Sequence, residues 1–104
     1  MKYHVSKLDS RFTGAQWFYC RVELMNRGTE DKALNFITLR NWCWETFGSS
    51  CEIDLIRKLY RANPEDKGSH QWAWKHDDSR TTRSYYIYLT EPAYTAFNLK
   101  WAGQ

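Results

Sequence analysis

No apolar run in this chain approaches the roughly 20 residues an α-helix needs to cross a bilayer. The opening MKYHVSKLDS has no apolar core of signal-peptide length. A soluble chain in the cytoplasm, without membrane association, is therefore expected. Cysteine is present only as Cys20, Cys43 and Cys51. That odd number excludes a framework of paired bridges, and two of the three fall in apolar patterns, so free buried thiols in a reducing compartment are expected. Neither charge sign dominates: 15 Lys and Arg against 12 Asp and Glu leave a formal +3. This is too mild to argue nucleic-acid binding and is contrary to a DNA mimic. The chain also lacks a Gly-rich phosphate loop, a nucleophile elbow and a paired-carboxylate motif. No reaction or cofactor is signalled, and the chain is read as non-enzymatic. Repeats, low-complexity tracts and linkers are missing too, and 104 residues suffice for one core, so a single domain over 1–104 is expected.

Aromatic residues are plentiful at 17%, with six Trp and seven Tyr. They supply large apolar area while keeping a polar handle that suits interfaces. The chain is organised around residues 29–48, TEDKALNFITLRNWCWETFG. Thr29 is a capping residue, Glu30 and Asp31 set negative charge at the positive helix end, and Gly48 suits a left-handed stop. At 100° per residue, Ala33, Phe36, Ile37, Cys43, Trp44 and Phe47 gather on one side, which is expected to face the core. Arg40 lies within that stripe, where it either snorkels to water or anchors a ligand or internal carboxylate. Trp42 points nearly the opposite way and is expected over a neighbouring loop.

The remaining segments supply a sheet and further helices. A short strand is expected from about Tyr3 to Lys7. Gln16 to Met25 alternates, with Phe18, Cys20, Val22 and Leu24 on one face and Trp17, Tyr19, Arg21 and Glu23 on the other. Ser49 and Glu52 form a capping-box pattern ahead of Ile53, Ile56, Leu59 and Tyr60 at helical spacing, giving a helix to about Ala62 that Asn63 and Pro64 end. A polar surface loop follows. Gln71 to His76 and Arg83 to Leu89 read as a hairpin across a turn at Asp77 to Thr82, with Trp72 and Trp74 sharing one face. Tyr85, Ile87 and Leu89 share one face of the second strand, and Tyr86 and Tyr88 the other. Thr90 caps a last helix with Glu91 and Pro92 in its first turn and Gly103 near its end. The expected class is α+β, an antiparallel sheet with two or three helices packed on one face. If Phe97 to Trp101 were instead a strand, the order would be ferredoxin-like.

The residues available leave three chemistries open. Cys51, His70, His76 and Asp77 can all bind a metal, but their spacing fits no standard site, and aspartates in hairpin turns ordinarily serve turn geometry. No metal is expected. His4, His70 and His76 leave a small His-dependent hydrolase as one alternative. The richest surface is the second sheet face, where Trp17, Tyr19 and Arg21 fall near Tyr86 and Tyr88, with Lys75 in reach. An aromatic and basic face suits a protein interface, in which Tyr, Trp and Arg are enriched anchors. It also suits single-stranded nucleic acid, whose bases stack on aromatic rings. Alternatively, the N-terminal segment covers it.

The run Arg40, Trp42, Cys43, Trp44, Glu45, Phe47, Gly48, Ser50 and Glu52, with Tyr88, Leu89, Phe97, Leu99, Lys100 and Trp101, resembles small proteins of tailed bacteriophages. The pattern spans roughly the last two thirds of the chain. The resemblance implies no activity and no catalytic residues. It implies a setting, the cytoplasm of a bacterial host, and action by binding as an accessory or virion part or as an inhibitor of a host enzyme or defence system. The expectation is a protein partner, or another copy of the chain, bound through Trp17, Tyr19, Arg21, Arg40, Trp42, Lys75, Tyr86 and Tyr88.

Overall fold

The computed structural model describes residues 1–12, 15–26, 31–62, 70–79 and 82–102. In chain order they form β1 (Lys2–Lys7), β2 (Cys20–Met25), α1 (Lys32–Phe47), α2 (Ile53–Ala62), β3 (Trp72–Asp78), β4 (Arg83–Leu89) and α3 (Glu91–Trp101). The four strands make one sheet in the order β1-β2-β4-β3, with each neighbouring pair antiparallel. The class is α+β. The chain closes in a helix, so the alternation of a ferredoxin-like order is not followed.

Strand alternation divides the sheet into two faces with different covers. Cys20, Val22 and Leu24 of β2 share the first face with Tyr85, Ile87 and Leu89 of β4 and with Trp72. They bury against Phe36, Leu39 and Cys43 of α1 and Ala93 and Phe97 of α3. Full burial of a large apolar side chain contributes about 1.5–3 kcal/mol, so this layer dominates the fold's apolar stabilisation. The second face carries a smaller cluster in which Ala73 and Tyr88 meet Ile53, Ile56 and Tyr60 of α2, together with Phe18. Only two helices therefore share a face, and α2 lies across the other.

The chain changes faces by wrapping around the outer edge of β3. Gly48 ends α1 with φ 92°, a conformation open to glycine, while its amide donates to the Trp44 carbonyl at 3.0 Å. The Gly48 carbonyl accepts from the Trp72 indole at 2.8 Å, Ser50 donates its hydroxyl to the Trp72 carbonyl, and the Trp74 amide donates to the Cys51 carbonyl. Residues 48–52 thus cover part of an otherwise open strand edge. Glu52, rather than Ser49, stands at the start of α2, its carboxylate accepting from the Asp54 amide at 3.0 Å.

Helix α1 begins at Asp31, whose side chain accepts from the Ala33 amide. The expected roles of Thr29 and Glu30 at its start, of Asn63 and Pro64 after α2, of the following loop to Ser69, and of Gly103 lie outside the described residues. The buried line of α1 is Phe36, Leu39 and Cys43. Leu39 therefore belongs to the core, whereas Ile37 and Trp44 stand 44% and 52% exposed. The cause is that α1 is apolar around most of its circumference, and its orientation is set by what it packs on rather than by its own pattern. Helix α3 follows expectation: the Thr90 hydroxyl accepts from the Ala93 amide and Pro92 occupies the first turn.

Candidate functional site

The register of the sheet fixes what the second face can present. Arg21 stands opposite Tyr88, which stands opposite Ala73, and Glu23 stands opposite Tyr86, which stands opposite Lys75. Helix α2 seals the Ala73 end. Toward the β3–β4 turn the face stays open as a cleft of about 200 Å³ lined by Arg11, Phe12, Arg21, Lys75, Asp77, Tyr86 and Tyr88.

Arg21 is the centre of this cleft. Its guanidinium carbon lies 4.5 Å from the centre of the Tyr86 ring and 5.0 Å from that of Phe12. A guanidinium flanked by aromatic rings gains cation–π attraction and loses freedom to reorient. Its Nε is buried and has no hydrogen-bond partner among the described residues. A buried donor without an acceptor is costly to leave unmade. Burial pushes the Tyr88 phenol up from its ordinary pKa, and the neighbouring Arg21 charge opposes that shift.

The other cations of the lining are already engaged. Arg11 grips Asp9 through Nη2 and Nε at 2.9–3.3 Å, and this holds the Asp9 carboxyl below its usual range. Lys75 Nζ lies 3.7 Å from Asp54 Oδ2, which ties β3 to α2. Among the described residues, Arg21 is the lining cation that forms no ion pair with a carboxylate. The cleft therefore offers a guanidinium that pairs with no carboxylate among the described residues, with the Asp77 carboxylate also in its lining.

Of the eight residues expected to form the interface, Arg21, Lys75, Tyr86 and Tyr88 come together. Tyr88 is only 3% exposed, so its ring belongs to the core and cannot serve as a stacking platform. Trp17 packs edge-on against Tyr60 of α2 at 5.2 Å. Tyr19 lies on the opposite side, 5.8 Å from Tyr94 of α3, and Phe18 joins the second-face cluster. The alternation expected from Gln16 onward thus begins only at Cys20, because a bend at Tyr19 precedes β2 and inverts the sides. Trp42 is half-buried between Phe47 and Trp101, covering α3 rather than a loop. Arg40 lies 5.6 Å from the Phe36 ring and 5.5 Å from the Trp74 ring on the first face, so it neither reaches the cleft nor meets an internal carboxylate among the described residues. Arg11, Phe12 and Asp77 of the lining were not expected. Phe12 is one apolar residue in a polar segment, and its side-on contact with Arg21 has no local sequence signal.

The candidate metal and catalytic side chains are dispersed. His76 stacks on Tyr85 at 4.7 Å, with Nε2 3.7 Å from Asp78, while His70 meets the Tyr60 hydroxyl through Nδ1 at 2.8 Å. Among the described residues, no group of three or more His, Cys, Asp or Glu side chains is arranged to hold a metal ion. No described helix is long and apolar enough to cross a membrane. No protein-family model, curated protein or solved structure matches the chain.

Proposed function

We propose that this chain is a non-catalytic binding protein that docks on a protein partner by taking one acidic side chain of that partner into the Arg21 cleft. The observation that carries this reading is the Arg21 guanidinium, held between Tyr86 and Phe12 and lacking a carboxylate among the described residues. A single guanidinium without an ion pair matches one carboxylate. A nucleic-acid strand carries a charge at every nucleotide, and its binding would call for several free cations and a row of accessible rings. Here Arg11 and Lys75 already face aspartates, Tyr88 is buried, and the half-buried Trp17 and Tyr19 rings pack against Tyr60 and Tyr94. The setting we propose, from the resemblance to small tailed-phage proteins, is the cytoplasm of a bacterial host, with a host factor or defence component as the partner.

The test is affinity capture from lysate of such a host by the tagged chain and by Arg21→Met, which keeps the stem and removes the charge. The expected result is a stoichiometric protein that survives nuclease treatment and is lost with Arg21→Met at an unchanged melting temperature. Equal capture by both chains, or recovery that depends on nucleic acid, would overturn the reading.

A further inference from the structure

Helix α1 is apolar on two sides. One, set by Phe36, Leu39 and Cys43, is buried against the sheet. On the other, Leu34 is 63% exposed, Ile37 44% and Trp44 52%, the Trp44 ring resting one edge on Trp72 of β3 at 6.4 Å and leaving the rest open. With Asn41, these residues follow one another at spacings of three, four and three. That is the spacing of a heptad seam, with Leu34 and Asn41 at a positions and Ile37 and Trp44 at d. In the same frame Phe36, Leu39 and Cys43 fall at c, f and c, away from the seam, which agrees with their burial. Arg40 takes the g position and Glu45 the following e position. These are the two sites that form ion pairs across a parallel two-stranded coiled coil.

Both charges are available for such pairing. Arg40 rests on the Phe36 and Trp74 rings, and neither Arg40 nor Glu45 forms an ion pair among the described residues. We propose that the chain self-associates through this outer face of α1 as a parallel pair about a twofold axis. Leu34, Ile37 and Trp44 fill the seam, and Asn41 meets Asn41 of the partner subunit. Arg40 of each protomer pairs with Glu45 of the partner subunit.

Charge complementarity identifies the occupant as a second copy. The seam carries a cation on one flank and a carboxylate on the other, and a twofold axis pairs both at once. Asn41 is also accounted for: an asparagine at an a position weakens a seam but fixes register and strand number when it faces its own copy. The seam spans only about three helical turns. This is smaller than the interface of a stable dimer, so the association is concentration-dependent and the monomer prevails when dilute.

The experiment is sedimentation velocity over a concentration series for the full chain, Arg40→Glu, Glu45→Arg and the double reversal. The wild type should move from monomer toward dimer as concentration rises. Each single reversal places like charges together and should shift that transition about tenfold higher in concentration. The double reversal should return it to within about threefold of wild type. Glu45 is exposed and its side chain forms no hydrogen bond or ion pair among the described residues, so Glu45→Arg tests the seam with little effect on folding; circular dichroism checks this for every variant. Ile37→Asn, also on an exposed position, should abolish the transition. A wild type that stays monomeric to about 1 mM, far above the range of specific dimers, would overturn the proposal, as would single reversals without effect or a double reversal that fails to restore association. Arg21→Met should leave the transition unchanged, so the seam and the Arg21 cleft can fail separately.

Discussion

Arg21 stands directly opposite Tyr88 in the sheet, yet its guanidinium lies over the ring of Tyr86, the diagonal neighbour, at 4.5 Å. The diagonal reach leaves Tyr88 to the core and gives the cleft a rigid cation instead of a mobile one. Lysine at this position would supply the charge as a hydrated point without the planar fork that lies flat on an aromatic ring. Arg21→Lys should therefore lose partner affinity almost as fully as Arg21→Met, by tenfold or more for a hydrogen-bonded charge pair. Near-wild-type affinity for the lysine variant would mean that net charge, not geometry, carries the binding.

Burial pushes the Cys20 and Cys43 thiols up to about 12 from an ordinary value of 9.0. Both keep their protons in the folded chain at pH values where the unfolded chain has released them. The folded state thus binds more protons above pH 9, and stability falls as pH rises from there toward 12; below pH 9 the thiols contribute no pH dependence. By pH 10 the loss is roughly 1 kcal/mol per thiol. Urea midpoints at pH 8 and pH 10 measure it, and Cys20→Ala with Cys43→Ala should remove most of the decline. Tyr3 and Tyr88, whose phenols are also raised by burial, add to the loss above their ordinary value of 10.0.

Phe97 is fully buried where α3 meets the sheet, with Tyr3 edge-on at 5.0 Å and Tyr94 stacked at 6.2 Å. Phe97→Ala should destabilise the chain by about 3–5 kcal/mol, the sum of lost burial and an unfilled cavity. Exposed Leu99, two residues on and 86% accessible, should tolerate alanine within about 0.5 kcal/mol. Denaturant unfolding of the two variants makes the comparison, and equal effects would contradict the packing of α3.

The wrap around β3 depends on the Trp72 indole donating to the Gly48 carbonyl at 2.8 Å. Trp72→Phe removes that donor along with some ring volume and should cost about 2–4 kcal/mol. It should also raise amide exchange at Trp74, whose N–H donates to the Cys51 carbonyl at the same edge. Lower stability with unchanged exchange there would show that residues 48–52 hold the edge without the indole.

Elements set by local chemistry were legible in the sequence. The pairing of the two hairpin strands, the Thr90 cap and the run from Ile53 to Ala62 depend on neighbours within a few residues, and the chain forms them as expected, except that Asp77 and Asp78, expected in the turn, extend β3 opposite Ser84 and Arg83. Features set by distant contacts were not legible. The side of α1 that is buried depends on the sheet beneath it, since Leu34, Ile37 and Trp44 are as apolar as Phe36, Leu39 and Cys43. The placing of α2 on the second face follows from a wrap that only the β3 edge defines. At Tyr19 a bend reversed the sides of Phe18 and Tyr19, while Trp17 stays on the second face against Tyr60 of α2. The cleft was half visible: Arg21, Lys75 and Tyr86 fell together by strand parity, whereas Arg11 and Phe12 reach it from a segment without periodicity.

Whether Arg21 receives a carboxylate is tested most directly by nuclear magnetic resonance of the arginine Nε–Hε groups during titration with a triglutamate peptide. The Arg21 resonance should shift saturably and further than that of Arg11, which already holds Asp9, and Tyr86→Ala should weaken the apparent affinity. An Arg21 resonance that moves no more than those of Arg11 and the exposed Arg83 would contradict the account.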